Sequence, residues 1–120
     1  MAEKDDSLVE LGAWGEVRYA IRDDKSMPAK EFYLSLSKGD QAKLNNLYKR
    51  MADHGRITNW QKFHRVEGDI WEFKSFRIRV SCYQSGRCWF LLHGFEKKGD
   101  YWPGGELLRA QNLLVEHRGY

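Results

Sequence analysis

The hydrophobic positions along the chain change their spacing several times, and each change marks a different predicted element. Polar and apolar residues alternate over 16–22, which is typical of a strand that presents side chains to two faces. Apolar residues then recur at helical spacing over 28–54, where Pro28 suits a first helical position and Ser37 suits an N-cap. This second segment is predicted to form a helical hairpin.

The rest of the chain predicts three strands and a final helix. The strands lie near 70–75, 76–84 and 87–95, and Ser85-Gly86 forms a hairpin turn between the last two. Apolar residues over 107–115 then suit a helix. The order β-α-α-β-β-β-α predicts an α+β fold, a small antiparallel sheet with the helical hairpin and the C-terminal helix packed on one of its faces.

The N-terminal end differs in composition from the rest of the chain. Residues 1–14 carry four acidic side chains and are interpreted as a loosely ordered lead-in, although Leu8, Val9 and Leu11 can cover an edge of the core. Residues 15–120 are predicted to form one domain. No stretch resembles a signal peptide or a membrane span, so we expect a cytoplasmic protein without a membrane partner.

Positive charge is concentrated in the second half of the chain. Residues 1–55 contain nine Lys and Arg against ten Asp and Glu, whereas residues 56–120 contain eleven against seven. The whole chain has a formal net charge of only +3, so the position of the cations is more informative than their number. The charge distribution alone is as compatible with a solvated surface as with a binding surface for an anionic ligand.

Cations and aromatic residues are interleaved over 70–103. If 76–84 is a strand, Arg77 and Arg79 point the same way. Guanidinium groups beside aromatic rings suit a phosphate backbone whose bases can stack. This pattern therefore favours nucleic acid as the ligand.

The cysteines and most of the histidines predict no metal or redox site. Cys82 and Cys88 are interpreted as half-buried, reduced strand thiols. Three histidines, His54, His64 and His117, are expected on the surface. Because no metal-ligand spacing occurs, a metal-independent chemistry without a cofactor is expected.

Three strings of residues resemble the signatures of a known family. They are WEFK at 71–74, FRIR at 76–79 and LLHGFEKK at 91–98, followed by Pro103, Glu106 and Arg109-Ala110. They resemble HigB-type toxins, the phage Gp49-like branch of the RelE/ParE superfamily of type II toxin–antitoxin systems. The resemblance covers about 15–118, and the family differs just before the proline, where this chain has Tyr101-Trp102.

The resemblance implies a RelE-like microbial RNase fold and a specific activity. A toxin of this kind is an endoribonuclease that cuts mRNA on the ribosome, contacts ribosomal RNA and is inhibited by a cognate helix-turn-helix antitoxin, here HigA-like. In the implied reaction a ribose 2′-hydroxyl attacks the adjacent phosphorus, which gives a 2′,3′-cyclic phosphate and a 5′-hydroxyl. The family's basic positions correspond to Arg79 on the central strand, Lys97 and Lys98 after the next strand, and Lys74 on the preceding one.

The chemistry of the candidate residues refines these roles. Fixed cations stabilise the charge that builds on the non-bridging oxygens, and the planar guanidinium of Arg79 can bind phosphate through two hydrogen bonds. His93 is either a general acid or base, or a hydrogen-bonded histidine half-buried in its strand. Glu72 either pairs with Lys74 or acts as a base, and Trp102 is expected to pack under the last helix. The remaining candidate RNA contacts are Arg77, Tyr101, Arg87 and Arg65.

Two other functions remain open from the sequence. The same scaffold occurs in ParE-type toxins that inhibit DNA gyrase, and the basic residues at the catalytic positions favour the nuclease. Alternatively, the Tyr101-Trp102 departure is compatible with a catalytically inactive, prophage-derived binding protein.

Overall fold

Six strands and three helices form the described part of the chain. The computed structural model describes residues 6–97 and 102–118. The elements in chain order are β1 (Leu8–Leu11), β2 (Glu16–Tyr19), α1 (Pro28–Ser35), α2 (Lys38–His54), β3 (Phe63–Glu67), β4 (Ile70–Ser75), β5 (Ile78–Ser85), β6 (Cys88–Glu96) and α3 (Glu106–Arg118). The predicted α+β fold class is confirmed.

All six strands belong to one sheet, in the order β1-β2-β6-β5-β4-β3. The neighbours pair antiparallel except for β2 and β6, which run parallel. The sheet is therefore mixed, because β2, near the start of the chain, lies parallel to β6, the last strand. The prediction of an all-antiparallel sheet is wrong at this one pairing.

The helical hairpin covers one face of the sheet, as its apolar stripe requires. The Ser37 hydroxyl accepts a hydrogen bond from the Asp40 amide at the start of α2, and Gly55 ends the helix with φ +80°. The buried side chains of α2 are Leu44, Leu47, Tyr48, Met51 and Ala52. They pack with strand residues such as Phe73, Val80 and Trp89 in the larger of two hydrophobic clusters. The predicted hairpin over 28–54 is confirmed.

The C-terminal helix packs on the opposite face of the sheet. Its buried residues Ala110, Leu113 and Leu114 form a second cluster with Tyr83 and Leu92. Residues next to these along the same strands, among them Cys82 and Leu91, belong to the first cluster. The prediction that all helices lie on one face is therefore wrong, and the reason is that β5 and β6 bury apolar side chains on both sides.

Two strands were not predicted, and both lie at sheet edges. The segment 8–11, interpreted as part of a loose lead-in, forms β1 and pairs with β2. β3 pairs with β4, and both edge pairings contain a register shift that breaks the alternation of side chains. β2 ends at Tyr19, three residues earlier than predicted.

Gly94 is a position where α1 approaches the sheet too closely for a side chain. A Cβ atom at Gly94 would collide with the ring of Phe32. We expect Gly94→Ala to lower the free energy of unfolding by about 1–3 kcal/mol, because Phe32 and α1 must shift. Gly104→Ala is the matched control, since a Cβ there has no neighbour within 4 Å. Urea unfolding of both variants tests the expectation, and equal effects would contradict it.

Candidate functional site

The candidate site lies on the α3 face, where three strands place charged side chains next to one another. Across the sheet, His64 is directly opposite Glu72, and Lys74 is directly opposite Arg79. The next strand places Phe95 opposite Arg79. Because alternate residues of a strand share a face, Glu72 and Lys74 lie side by side, and the register brings Arg79 and His64 to them.

Glu72 is the centre of this cluster. Its side chain is only 1% exposed and contacts three polar groups. One carboxylate oxygen lies 3.5 Å from Arg79 Nε and 3.3 Å from His64 Nε2, and the other accepts a hydrogen bond from Trp102 Nε1 at 2.5 Å. A buried carboxylate is retained only where such partners compensate for the loss of water. The basic side chains in contact with it are those of Arg79 and His64, and the lysine expected from the sequence, Lys74, interacts with its charge.

Arg79 is largely buried, and much of its guanidinium group is engaged within the protein. Nη1 donates to the carbonyl oxygens of Phe76 and Ile78, at 2.5 and 2.9 Å. Nε faces Glu72 but makes no hydrogen bond among the described residues. Arg79 therefore contributes a fixed positive charge to the site. Because Nη1 already donates to two carbonyl oxygens, fewer of its donors are free for the predicted bidentate contact with a phosphate.

Lys74 and Lys97 add two ammonium groups beside Arg79. The pKa of Lys74 is lowered by partial burial first and then by the charges of Arg79 and Lys97, against the opposing effect of Glu72. A lysine whose pKa is lowered holds its proton less tightly and is better suited to proton transfer. The structure thus brings together three of the residues predicted as catalytic: Lys74, Arg79 and Lys97.

A cleft of about 300 Å³ opens beside Glu72 and Lys97. Its walls combine charged groups with apolar surface from β3 and from the start of α3, and the lining residues are His64, Arg65, Val66, Glu72, Lys97, Trp102 and Leu107. Trp102 packs with the second hydrophobic cluster, as expected from the sequence, and also donates to Glu72.

His64 belongs to this site, and the prediction that it is a surface residue is wrong. Its ring stacks on Trp60 with centroids 4.1 Å apart, and its two nitrogens face the Trp60 carbonyl oxygen and Glu72. Lys74 Nζ lies 5.3 Å from the centre of the Trp60 ring, which is 68% exposed. The sequence signal for His64 was weak, because β3 is short and its register shifts after Arg65.

His93 lies apart from these groups, deep between the sheet and α3. Its Nδ1 is 2.5 Å from the Ser81 hydroxyl, and Nε2 is 3.7 Å from a Glu106 carboxylate oxygen. Burial first, and then the charge of Arg109, lowers the pKa of His93 to about 4. Of the two interpretations left open by the sequence, this environment favours a neutral, hydrogen-bonded histidine.

The predicted RNA contacts are distributed more widely. Arg77 is exposed in the turn before β5 rather than on the strand, so the prediction that it shares a strand face with Arg79 is wrong. Arg65 is exposed at the rim of the cleft. Arg87 lies in the β5–β6 turn, roughly 25 Å from Arg79 along the strand at 3.3 Å per residue. Lys98 and Tyr101 lie outside the described residues.

The other candidate groups provide no second site. Burial raises the pKa of Cys88 to about 11 and that of Cys82 well above its usual range, so neither thiol is activated. Cys82 is fully buried rather than half-buried, because it faces the helical hairpin.

Within 6–97 and 102–118, no group of three or more His, Cys, Asp or Glu side chains is arranged to hold a metal ion. In the same ranges, none of the helices has the length and apolar character needed to cross a bilayer.

Comparison with known proteins identifies one family. The family described as "Phage derived protein Gp49-like (DUF891)" matches residues 31–115. The match covers α1 from Glu31 onwards, the whole of α2, strands β3 to β6 and most of α3, and so includes every residue of the cleft. No curated protein matches the chain.

Proposed function

Because this chain belongs to the Gp49-like family of phage-derived proteins, we propose that it is the toxin of a type II toxin–antitoxin system and cuts mRNA on the ribosome. The observation that carries the proposal is the cluster of Lys74, Arg79 and Lys97 around the buried Glu72, beside a cleft. Three cations beside one carboxylate leave a net positive charge at the site, which favours the binding of an anionic ligand such as a phosphate.

The proposed reaction is the transfer of a phosphoryl group within RNA, without a metal ion. Arg79 and Lys97 stabilise the charge that develops on the phosphate oxygens. Lys74 accepts the proton of the attacking 2′-hydroxyl, because its lowered pKa makes the neutral amine more accessible. We assign protonation of the leaving 5′-oxygen to Lys97, the ammonium group that lines the cleft. Glu72 and His64 position the cations rather than contact the substrate.

The proposed partners follow from this activity. The substrate is mRNA bound to the ribosome, and the exposed cations Arg65, Arg77 and Arg87 are assigned to contacts with ribosomal RNA. A cognate helix-turn-helix antitoxin, HigA-like, is proposed to mask the cationic cluster with acidic or amphipathic residues. Because the proposed substrate and antitoxin are cytoplasmic, the protein is proposed to act in the cytoplasm. Lys98 and Tyr101 are retained as proposed contributors to catalysis and RNA binding.

The test is induced expression in a bacterium, with primer extension on abundant transcripts. We expect growth arrest and cuts within reading frames that require ribosomes. The double variant Lys74→Ala/Lys97→Ala is expected to reduce cutting at least about a hundredfold, because both proton carriers and two charges are lost. Lys38→Ala/Arg50→Ala is the matched control, since it removes two exposed charges from α2.

Other results would identify another function. Growth arrest with intact mRNA and accumulated DNA cleavage complexes would contradict the nuclease and indicate a gyrase inhibitor. Normal growth with abundant folded protein would indicate a binding protein without activity. Equal loss of cutting in both double variants would show that net charge, rather than the cluster, is what matters.

A further inference from the structure

Phe76 occupies an unusual position at the turn between β4 and β5. Its side chain is 78% exposed, and its backbone has φ +57°. A left-handed backbone is strained for a residue with a Cβ, and glycine is the usual choice in such a turn. Neither burial nor backbone preference therefore accounts for a phenylalanine here. Strained residues of this kind are concentrated at functional sites.

The turn is joined directly to the cationic cluster. The carbonyl oxygen of Phe76 accepts a hydrogen bond from Arg79 Nη1, at 2.5 Å. The carbonyl oxygen of the next residue, Arg77, accepts one from the Lys97 amide, at 2.7 Å. The position of the Phe76 backbone is thus fixed by the same guanidinium group that pairs with Glu72.

The ring of Phe76 lies on the side of the turn that faces α2. Lys43 Nζ lies 4.3 Å from the centre of the ring. Arg77 follows Phe76 in the turn, and both Lys43 and Arg77 are exposed. An exposed aromatic ring beside cations is the arrangement that holds a nucleobase while its phosphates are neutralised.

We propose that Phe76 is a stacking platform for an RNA base next to the scissile phosphate, and that it contributes to the choice of cutting site. The proposal rests on the proposed nuclease function. An RNA base is favoured over a protein partner because Lys43 lies against the ring and Arg77 follows it in the turn, and such cations suit a phosphate backbone. Stacking on one aromatic ring strengthens binding of a base by about tenfold or more.

The experiment compares purified wild type, Phe76→Gly, Phe76→Leu and Phe76→Trp on ribosomes programmed with a defined mRNA. Cleavage rates give kcat and KM, and sequencing of the ends gives the bases beside each cut. We expect Phe76→Gly and Phe76→Leu to raise KM about tenfold and to weaken the base preference, with a smaller change in kcat. Phe76→Trp keeps a planar ring and retains both properties. Leu34→Ala, an exposed apolar residue on α1, is the control.

Thermal unfolding of the same variants separates a binding role from a structural one. Phe76→Gly relieves the left-handed strain, so its Tm is expected to equal or exceed that of wild type while KM rises. A wild-type KM in both Phe76→Gly and Phe76→Leu would overturn the proposal and leave the nuclease standing. A Leu variant that behaves like wild type while the Gly variant does not would indicate an apolar contact instead of stacking. Absence of cleavage by wild type would overturn the proposed function, and this proposal with it.

Discussion

Arg79→Ala is expected to slow mRNA cleavage strongly and to destabilise the fold, and the two effects have different causes. Loss of a fixed charge at the developing oxyanion is expected to reduce the cleavage rate by about 10²–10³. Removal of the guanidinium also leaves Glu72 buried with one charge partner fewer, which we expect to cost about 3–5 kcal/mol of unfolding free energy. Activity alone therefore cannot assign the role of Arg79.

The double variant Arg79→Ala/Glu72→Gln separates these effects. The neutral amide at position 72 no longer requires a positive neighbour and can still accept from Trp102, so much of the lost stability is expected to return. Cleavage is not expected to return, because the charge at the phosphate remains absent. Urea unfolding and cleavage on programmed ribosomes are measured for both single variants and the double variant.

The control for this cycle is Arg50→Ala, the same substitution at an exposed position of α2. It should leave both stability and cleavage nearly unchanged. Cleavage by Arg79→Ala within tenfold of wild type would contradict a direct role for this cation. Recovery of cleavage in the double variant would mean that Arg79 acts only by neutralising Glu72.

The sequence was sufficient to predict elements that are defined by local patterns. The hairpin of α1 and α2 has its own cap residues, Ser37 and Gly55, and its stripe repeats over four turns. The bounds of β4 also agree with the prediction. By contrast, β1 and β3 have four and five residues and register shifts, so period two is never established. The parallel pairing of β2 with β6 depends on contacts between distant segments.

The candidate site, like the fold, was predictable only where local sequence patterns define it. The cations Lys74 and Arg79 stand out in the sequence because strands rarely place such residues beside aromatic side chains. The sequence indicates Glu72 as a partner of Lys74 or as a base, but it does not predict the contacts of Glu72 with His64, Arg79 and Trp102, which come from three separate segments of the chain. A sequence pattern predicts which residues share a face, but not which strand lies opposite.

His93 illustrates the remaining difficulty. The register of β5 and β6 shifts between Ser81 and Cys82, where Cys82 pairs with Leu91 but Ser81 pairs with His93. The bulge at Leu92 turns both Leu92 and His93 towards α3, so the histidine is buried behind the cluster. Strict alternation from Leu92 would have placed the His93 side chain on the face opposite α3, and the sequence carries no signal for the bulge.

Burial of His93 has a large expected effect on stability at acidic pH. Its pKa is about 4 in the folded protein, against an ordinary value of 6.5, because burial and Arg109 disfavour the charged ring. Ser81 holds the neutral ring in place, and the nearby Glu106 carboxylate does not reverse the shift. A lowered pKa means that the unfolded chain binds a proton first as the pH falls. The contribution of His93 to the free energy of unfolding is therefore complete above pH 6.5 and is lost progressively as the pH falls towards 4.

The expected loss is about 3 kcal/mol across that whole range, and about 2 kcal/mol of it falls between pH 7 and pH 5. His117, whose pKa is also lowered by burial, adds a loss of the same sign. Urea unfolding at several pH values should show a shallower pH dependence in His93→Gln, which keeps a hydrogen-bonding group for Ser81 but cannot titrate. His54→Gln, at an exposed position, should retain the wild-type dependence. An unchanged slope in His93→Gln would mean that the pKa of the ring is the same in the folded and unfolded protein, and His93 would then return as a candidate general acid.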